Sequence, residues 1–253
     1  MENISKQGIT RMRLHEGLPR QGPGSDAVTA HALSLLPAIP SPARIYDLGC
    51  GPGRATITLT SILKQPVVAV DLQQDFLRQV LYAAEQNGLS HLIETQCGDM
   101  TVLHDQPGTI NLIWAEGAIY CAGFDRALSV WRPLLAEGGI VACSELSWLT
   151  ENPSTEPTAF WQLNYPGMRS VVHNVTAAEG LGYKCITHFT QPLASWWDEF
   201  YNPWLCHIDT LKLEAEQDQD LRKLMDDALM EINLFRKYSH EYGYEFYLLQ
   251  KSN

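Results

Sequence analysis

The sequence predicts an open α/β fold: a mostly parallel β-sheet with helices on both faces and a helical addition before the last strand. Three observations carry this reading. Short apolar runs alternate with amphipathic stretches from Arg44 to about Glu145. Strand, helix, strand at that spacing demands a parallel sheet covered on both sides. The first apolar run stops at a loop holding Gly49, Gly51 and Gly53, and a helical pattern follows at once. Glycine there lets the backbone take a positive φ or approach a ligand without a Cβ clash. Finally, Asn87-Gly88 and Gly138-Gly139 punctuate the amphipathic stretches where helices should stop.

The elements follow in order. In "LPRQGPGSDAVTAHAL" a breaker-rich loop, Gln21 to Gly24, precedes a helix that Ser25 or Asp26 can cap. The strands are expected at Arg44–Leu48, Val67–Asp71, Leu92–Cys97, Ile110–Ala115 and Gly139–Glu145. The helices between them are expected at Arg54–Leu63, Gln74–Gln86 and Phe124–Leu135, with Asn87-Gly88 ending the second and Gly138-Gly139 the third. Gly98–Gly108 reads as a loop. Pro153 and Pro157 punctuate another, polar one. "RSVVHNVTAAEGLGYKCITHFTQP" reads as a helix, a stop at Gly182 and a strand ending near Gln191. Residues 195–240 look largely helical, and "YGYEFYLLQK" alternates as a final strand. The whole chain, 1–253, is thus one domain, with an N-terminal lid segment (1–41) and a helical insert (about 195–240).

With 253 residues and 45% hydrophobic composition, the chain can bury a full core. The formal net charge of -11 disfavours a polynucleotide partner, because binding to a phosphate backbone depends on basic side chains displacing counterions. No apolar run is long enough to span a bilayer, and the N-terminus lacks the apolar core of a signal peptide. Six cysteines lie far apart, with no pair at metal-ligand spacing. A reduced, cytoplasmic chain without a metal is the expectation.

In an open parallel sheet, ligands sit at the carboxyl ends of the strands. The "DLGCGPG" loop occupies such a turn. A dinucleotide fingerprint would need a third glycine at position 54, which is Arg54. A mononucleoside needs close backbone approach with less anion-binding geometry. The loop resembles motif I of the class I S-adenosylmethionine-dependent methyltransferases, an acidic residue followed by GxGxG. Asp71, closing "VVAVD", and Asp99, in "QCGDM", stand where that family carries its next motifs, and "INLIWAEG" and "GGIVACSE" match the later ones. The similarity covers roughly residues 42–146.

The resemblance implies a Rossmann-like seven-stranded sheet of order 3-2-1-4-5-7-6 and S-adenosyl-L-methionine as cofactor, with S-adenosyl-L-homocysteine as product. By the same resemblance the cofactor meets Asp47, Gly49, Gly51 and Gly53 in the loop, and Asp71 with Leu72 at the ribose. Asp99 and Met100 would lie at the adenine, and Glu116 beside the methyl group. A carboxylate has two oxygens able to accept two vicinal hydroxyls, which suits Asp71 to the ribose. Arg20 and Gly22 belong to a lid of the kind that folds over the cofactor in small-molecule methyltransferases. Arg20 then pairs with the methionyl carboxylate, or else is a solvated arginine on a connecting loop.

The fourth strand ends in "WAEGAIY", without the [ND]PP[YFW] tetrad of enzymes that methylate nucleic-acid bases or glutamine amides. Glu116 and Tyr120 are the candidate catalytic residues. Glu116 orients the acceptor or takes its proton, or instead caps the segment starting at Gly117. Glu145, Trp148, Trp197 and Tyr201 are candidates for the acceptor pocket. Trp196, Trp197, Phe200, Tyr201 and Trp204 recur at helical spacing, either as a packing stripe or as aromatic walls for a small apolar molecule or a cationic amine. The expected function is methyl transfer to a small molecule. A non-catalytic S-adenosylmethionine-binding protein, and a protein or RNA methyltransferase, are the alternatives.

Overall fold

In the computed structural model, which describes residues 13–252, the chain builds one eight-stranded sheet. In chain order the elements are α1 (Asp26–Ser34), β1 (Ile45–Leu48), α2 (Arg54–Leu63), β2 (Val67–Asp71), α3 (Gln74–Gln86), β3 (Ile93–Cys97) and β4 (Ile110–Ala115). A 3-10 turn (Ile119–Cys121) leads to α4 (Phe124–Trp131), β5 (Leu135–Trp148), α5 (Thr155–Asn164), β6 (Arg169–Ser170), α6 (Val171–Gly180) and β7 (Tyr183–Thr190). Then come α7 (Leu193–Trp196), a π-helical turn (Trp197–Tyr201), α8 (Asn202–Ala215), α9 (Gln219–Tyr238) and β8 (Tyr242–Lys251).

The strand order is β3-β2-β1-β4-β5-β8-β7, with β6 a two-residue pairing on β5. Leaving β6 aside, this is the expected 3-2-1-4-5-7-6 order. The pairs from β3 to β5 are parallel, and β8 runs antiparallel to both β5 and β7. Strand order reverses between β1 and β4, which opens a crevice at their carboxyl ends.

Both faces are covered, so β1 is buried at every position. Tyr46, Leu48, Ile113 and Ala115 pack on one face against Phe124, Leu128 and Trp131 of α4 and Ala178 of α6. Ile45, Leu112 and Trp114 pack on the other face against Val28 and Ala32 of α1 and Ala55 and Leu59 of α2. Leu77, Val80 and Ala84 of α3 cover Ala69 and Ile93. The stop after α3 works as expected: Gly88 takes φ +67, and the Leu89 amide donates to the Ala84 carbonyl at 2.8 Å. That is a Schellman cap.

Two boundaries differ from expectation. The helix α4 ends at Trp131, because Pro133 has no amide proton to continue the ladder. The strand β5 already begins at Leu135, which pairs with Ile110. Gly138 and Gly139 therefore lie inside the strand at a register shift rather than before it. The stretch around Pro157 is the helix α5 rather than loop. Pro157 sits in its first turn, where no intrahelical donor is required.

The lid and the insert are one packed unit. Leu14 and Leu18 join Trp196, Phe200, Tyr201, Trp204 and Phe235 in a common core. The Trp204 indole donates to the Leu14 carbonyl at 3.0 Å, and the Gly24 amide donates to the Ser195 carbonyl at 3.3 Å. Ser25 caps α1 by accepting from the Val28 amide at 3.1 Å. Residues 1–12 of the lid segment lie outside the described residues.

Candidate functional site

The glycine loop wraps tightly around the ends of β1 and β2. The Gly49 and Cys50 amides both donate to the Val70 carbonyl, at 2.8 and 3.0 Å. Gly49 has φ +69, and a Cβ built on it would lie 2.5 Å from the Ala118 Cβ and 2.9 Å from the Met100 Cε. No other residue fits there. Gly53 opens α2 at φ +90, with Val80 2.7 Å from its missing Cβ. Gly51 at φ +53 faces open space beyond Gln21.

Three of the predicted acids meet at this crevice. Asp71 accepts from the Gly51 amide at 3.0 Å on one oxygen and from the Gln73 amide at 2.8 Å on the other. Each oxygen keeps a lone pair for a further donor. Burial raises its pKa against those two bonds. Asp47 is fully buried and accepts from the Thr56 hydroxyl at 2.6 Å. Burial, opposed by Thr56 and reinforced by the charges of Glu116 and Asp71, pushes its carboxyl up to about 7. Asp99 is exposed and accepts from the Thr101 amide and hydroxyl, both at 2.8 Å, which lowers its pKa. Leu72 leaves 67% of its surface exposed at the end of β2. The Met100 carbonyl is anchored by the Trp131 indole at 2.8 Å.

The lid closes over the loop. Arg20 and Gln21 to Pro23 enclose a cavity of about 70 Å³ with Asp47, Gly49 to Pro52, Glu116 and Gly117. Arg20 is only 7% exposed, so it is no solvated loop arginine. It donates to Glu116 at 3.1 Å and to Asp26 at 2.9 Å, while its Nε has no partner among the described residues. A larger groove of about 760 Å³ lies elsewhere, bounded by Arg44, Tyr46, Glu94 and Asp105 and away from these strand ends.

Glu116 is held at the end of β4 by three protein donors. Arg20 donates to one of its oxygens; Thr29, at 2.7 Å, and the Trp114 indole, at 3.2 Å, donate to the other. Burial raises its pKa against these partners. These bonds tie the lid to the end of β4. Thr29 and Trp114 gave no signal in the sequence, since a buried threonine or tryptophan reads as core. Gly24 makes this junction possible, for a Cβ on it would lie 2.5 Å from Glu116 Oε1.

Burial and the neighbouring Cys121 raise the Tyr120 phenol above its ordinary value. It keeps 44% of its surface open and stands edge-on to Tyr165 at 6.1 Å.

Of the four predicted acceptor-pocket residues, Glu145 is buried on β5, just past the end of β4. Trp148 packs edge-on to Tyr242 at 6.0 Å. Tyr201 is fully buried and donates to Glu231 at 3.0 Å. Trp197 packs on Tyr201 and Phe235 with Arg236 over its ring at 5.1 Å, which places it in the insert's own packing. The remaining aromatic stripe is core, with Trp196 stacked 4.0 Å from Phe235. Glu231 was missed. Its carboxyl is pushed up to about 7 by burial, opposed by Tyr201.

All six cysteines are free, no helix among the described residues is long and apolar enough to cross a membrane, and no cluster of metal-ligand side chains occurs among them.

This glycine loop, these strand-end acids and this strand order define the class I methyltransferase fold. Residues 45–139 match the family model described as a methyltransferase domain. The chain resembles an S-adenosylmethionine-dependent methyltransferase from Thiobacillus denitrificans, solved with S-adenosyl-L-homocysteine (TM-score 0.81, 18% identity, 95% of this chain and 97% of that one). It resembles another from Geobacter sulfurreducens, also with S-adenosyl-L-homocysteine (0.78, 18%, 96% and 98%). It also resembles the [4+2]-cyclase SpnF (0.74, 16%, 98% and 96%). No curated protein matches the chain significantly.

Proposed function

We propose that this protein is an S-adenosylmethionine-dependent methyltransferase acting on a small-molecule acceptor. A cyclase has a similar fold, so the reaction is set by the site rather than by the architecture. The observation that carries it is the closed crevice at the switch point: Asp71 held by two backbone amides beside Gly51, with Arg20 buried above it and its Nε unpartnered.

The residues present fit the cofactor. Gly51 faces open space in the cavity under the lid, while Gly49 lets Ala118 and Met100 pack close against the loop. Asp71 would hold the two ribose hydroxyls on its remaining lone pairs. Leu72 and Met100 would offer apolar surface to the adenine, with Asp99 at its amine edge. Arg20 and Gly22 would close the lid on the amino-acid end, where the cationic Nε suits a carboxylate. When bound, S-adenosyl-L-methionine supplies an electrophilic methyl group on a sulfonium.

The chain's own part in transfer is positioning and exclusion of water. The lid lines the crevice, and its Leu14 and Leu18 share one aromatic core with the insert, which supports a fixed lid over the site. A formal net charge of -11 and the absence of the [ND]PP[YFW] tetrad support a small acceptor over a nucleic acid. The protein would act in the cytoplasm.

Calorimetric titration with S-adenosyl-L-homocysteine tests the assignment. Asp71→Ala removes two charge-assisted hydrogen bonds of about 1.5–3 kcal/mol each, so Kd should rise at least about tenfold. Unchanged affinity would contradict the reading.

A further inference from the structure

The strand β5 outruns its neighbour. Ala115, the last residue of β4, pairs with Cys143, and β5 continues to Trp148. Glu145 therefore projects over the turn that follows β4, where an acceptor would face the methyl group. It is 2% exposed, and neither carboxylate oxygen receives a well-formed hydrogen bond among the described residues. Burying an unpaired acid is costly. The cost makes sense where a ligand supplies the missing donor.

Its surroundings show what that ligand is. Tyr165 stands beside the carboxyl, and Tyr120, Cys121, Cys143 and Tyr244 lie within its electrostatic reach. Arg169 is the one cation noted near it, and its guanidinium already donates to Asp125 at 2.7 and 3.0 Å and to Asn174 at 2.9 Å. A second acid, Glu231, acts on both Tyr120 and Tyr244. Cys121 feels the charges of both Asp71 and Glu145, the proposed ribose anchor and this acid. A setting of tyrosines and two acids, with Arg169 already engaged, repels carboxylates and phosphates. It attracts a cationic nitrogen through both charge and ring faces.

We propose that Glu145 is the acceptor anchor and that the acceptor is a small amine, bound as its ammonium among Tyr120, Tyr165 and Tyr244. This rests on the methyl-transfer reading and narrows its substrate class. Glu145 takes one proton from the ammonium, which frees the nitrogen lone pair. The nitrogen then bonds to the methyl carbon as the carbon–sulfur bond breaks, and that bond's electron pair stays on sulfur as the thioether. The proton on Glu145 leaves to solvent. Burial, opposed by Tyr165 and Arg169, pushes the Glu145 carboxyl up to about 7, which suits it to exchange a proton near neutral pH.

The test uses the full chain, S-adenosyl-L-methionine, and phenethylamine, benzylamine and putrescine, with phenethyl alcohol and phenylacetate as matched controls. Methyl transfer is read by mass spectrometry and cofactor binding by calorimetry. Transfer to an amine and to neither control is expected. Glu145→Gln should lower kcat/KM for that amine at least about a hundredfold and abolish the limb of its pH profile near 7. It should bind the cofactor as the wild type does, and it should melt at a higher temperature, because an unpaired buried charge has been removed. Transfer to the alcohol or the acid, silence of all three amines, or a Glu145→Gln enzyme within threefold of wild type would each overturn the proposal. Failure of the wild type to bind the cofactor would instead overturn the methyl-transfer reading beneath it.

Discussion

Gly24 carries more of the site than its size suggests. Its missing Cβ leaves room for the Glu116–Arg20 pair, and its amide ties the lid to Ser195. A methyl group 2.5 Å from Glu116 Oε1 and 3.0 Å from an Arg20 nitrogen must push the two apart. Gly24→Ala should therefore lose about 1–3 kcal/mol of stability in urea unfolding, the ordinary range for overpacking. Gly22→Ala is the matched control, with nothing within 4 Å of its Cβ, and should stay within about 0.5 kcal/mol. Equal losses in the two variants would show that the junction is not what Gly24 serves. At this scale the sequence was informative only where a residue type has few uses. The loop glycines and Asp71 stood out because a positive φ and a carboxylate at a strand end narrow the options. Glu116 also stood out, but its partners Arg20, Thr29 and Trp114 come from distant parts of the chain. No local pattern could show that its oxygens were already taken.

The elements were legible where the hydrophobic period was clean. The first four strands, α2 and α3 fall within a residue of their expected bounds, because buried parallel strands are continuous apolar runs and α3 is plainly amphipathic. The reading failed at proline and glycine, whose meaning depends on position. Pro157 is harmless in the first turn of α5, Pro133 ends α4, and the Gly138-Gly139 pair makes an irregularity within β5. Helices α8 and α9 were visible as a helical region. That they form one core with Leu14 and Leu18 was not, since contacts so far apart in the chain leave no periodic trace. The lid is thereby anchored to the insert rather than to the sheet alone.

For the whole molecule, the buried acids set the response to pH. Asp47, Glu145 and Glu231 are each pushed up to about 7 by burial, whereas in the unfolded chain they titrate near about 4. Between those values the folded state binds more protons than the unfolded one, so stability falls as pH rises from about 4 to about 7. Asp99, Glu156 and Glu241 are lowered by their hydrogen bonds and act oppositely, losing stability only below about pH 4. The melting temperature should therefore be highest in mildly acidic buffer. Glu231→Gln should flatten the fall toward pH 8 while changing little at pH 4. A wild-type melting temperature that climbs steadily from pH 4 to 8 would contradict this picture of buried acids with raised pKa values.

The central claim is that the crevice between β1 and β4 grips a nucleoside thioether under the lid. A crystal structure of the protein grown with S-adenosyl-L-homocysteine tests it most directly. The account predicts both ribose hydroxyls on Asp71, the adenine between Leu72 and Met100, and the amino-acid carboxylate on Arg20. Density for the compound at any other place, or a lid packed against Gly49 and Gly51 with the crevice filled by protein atoms, would contradict it.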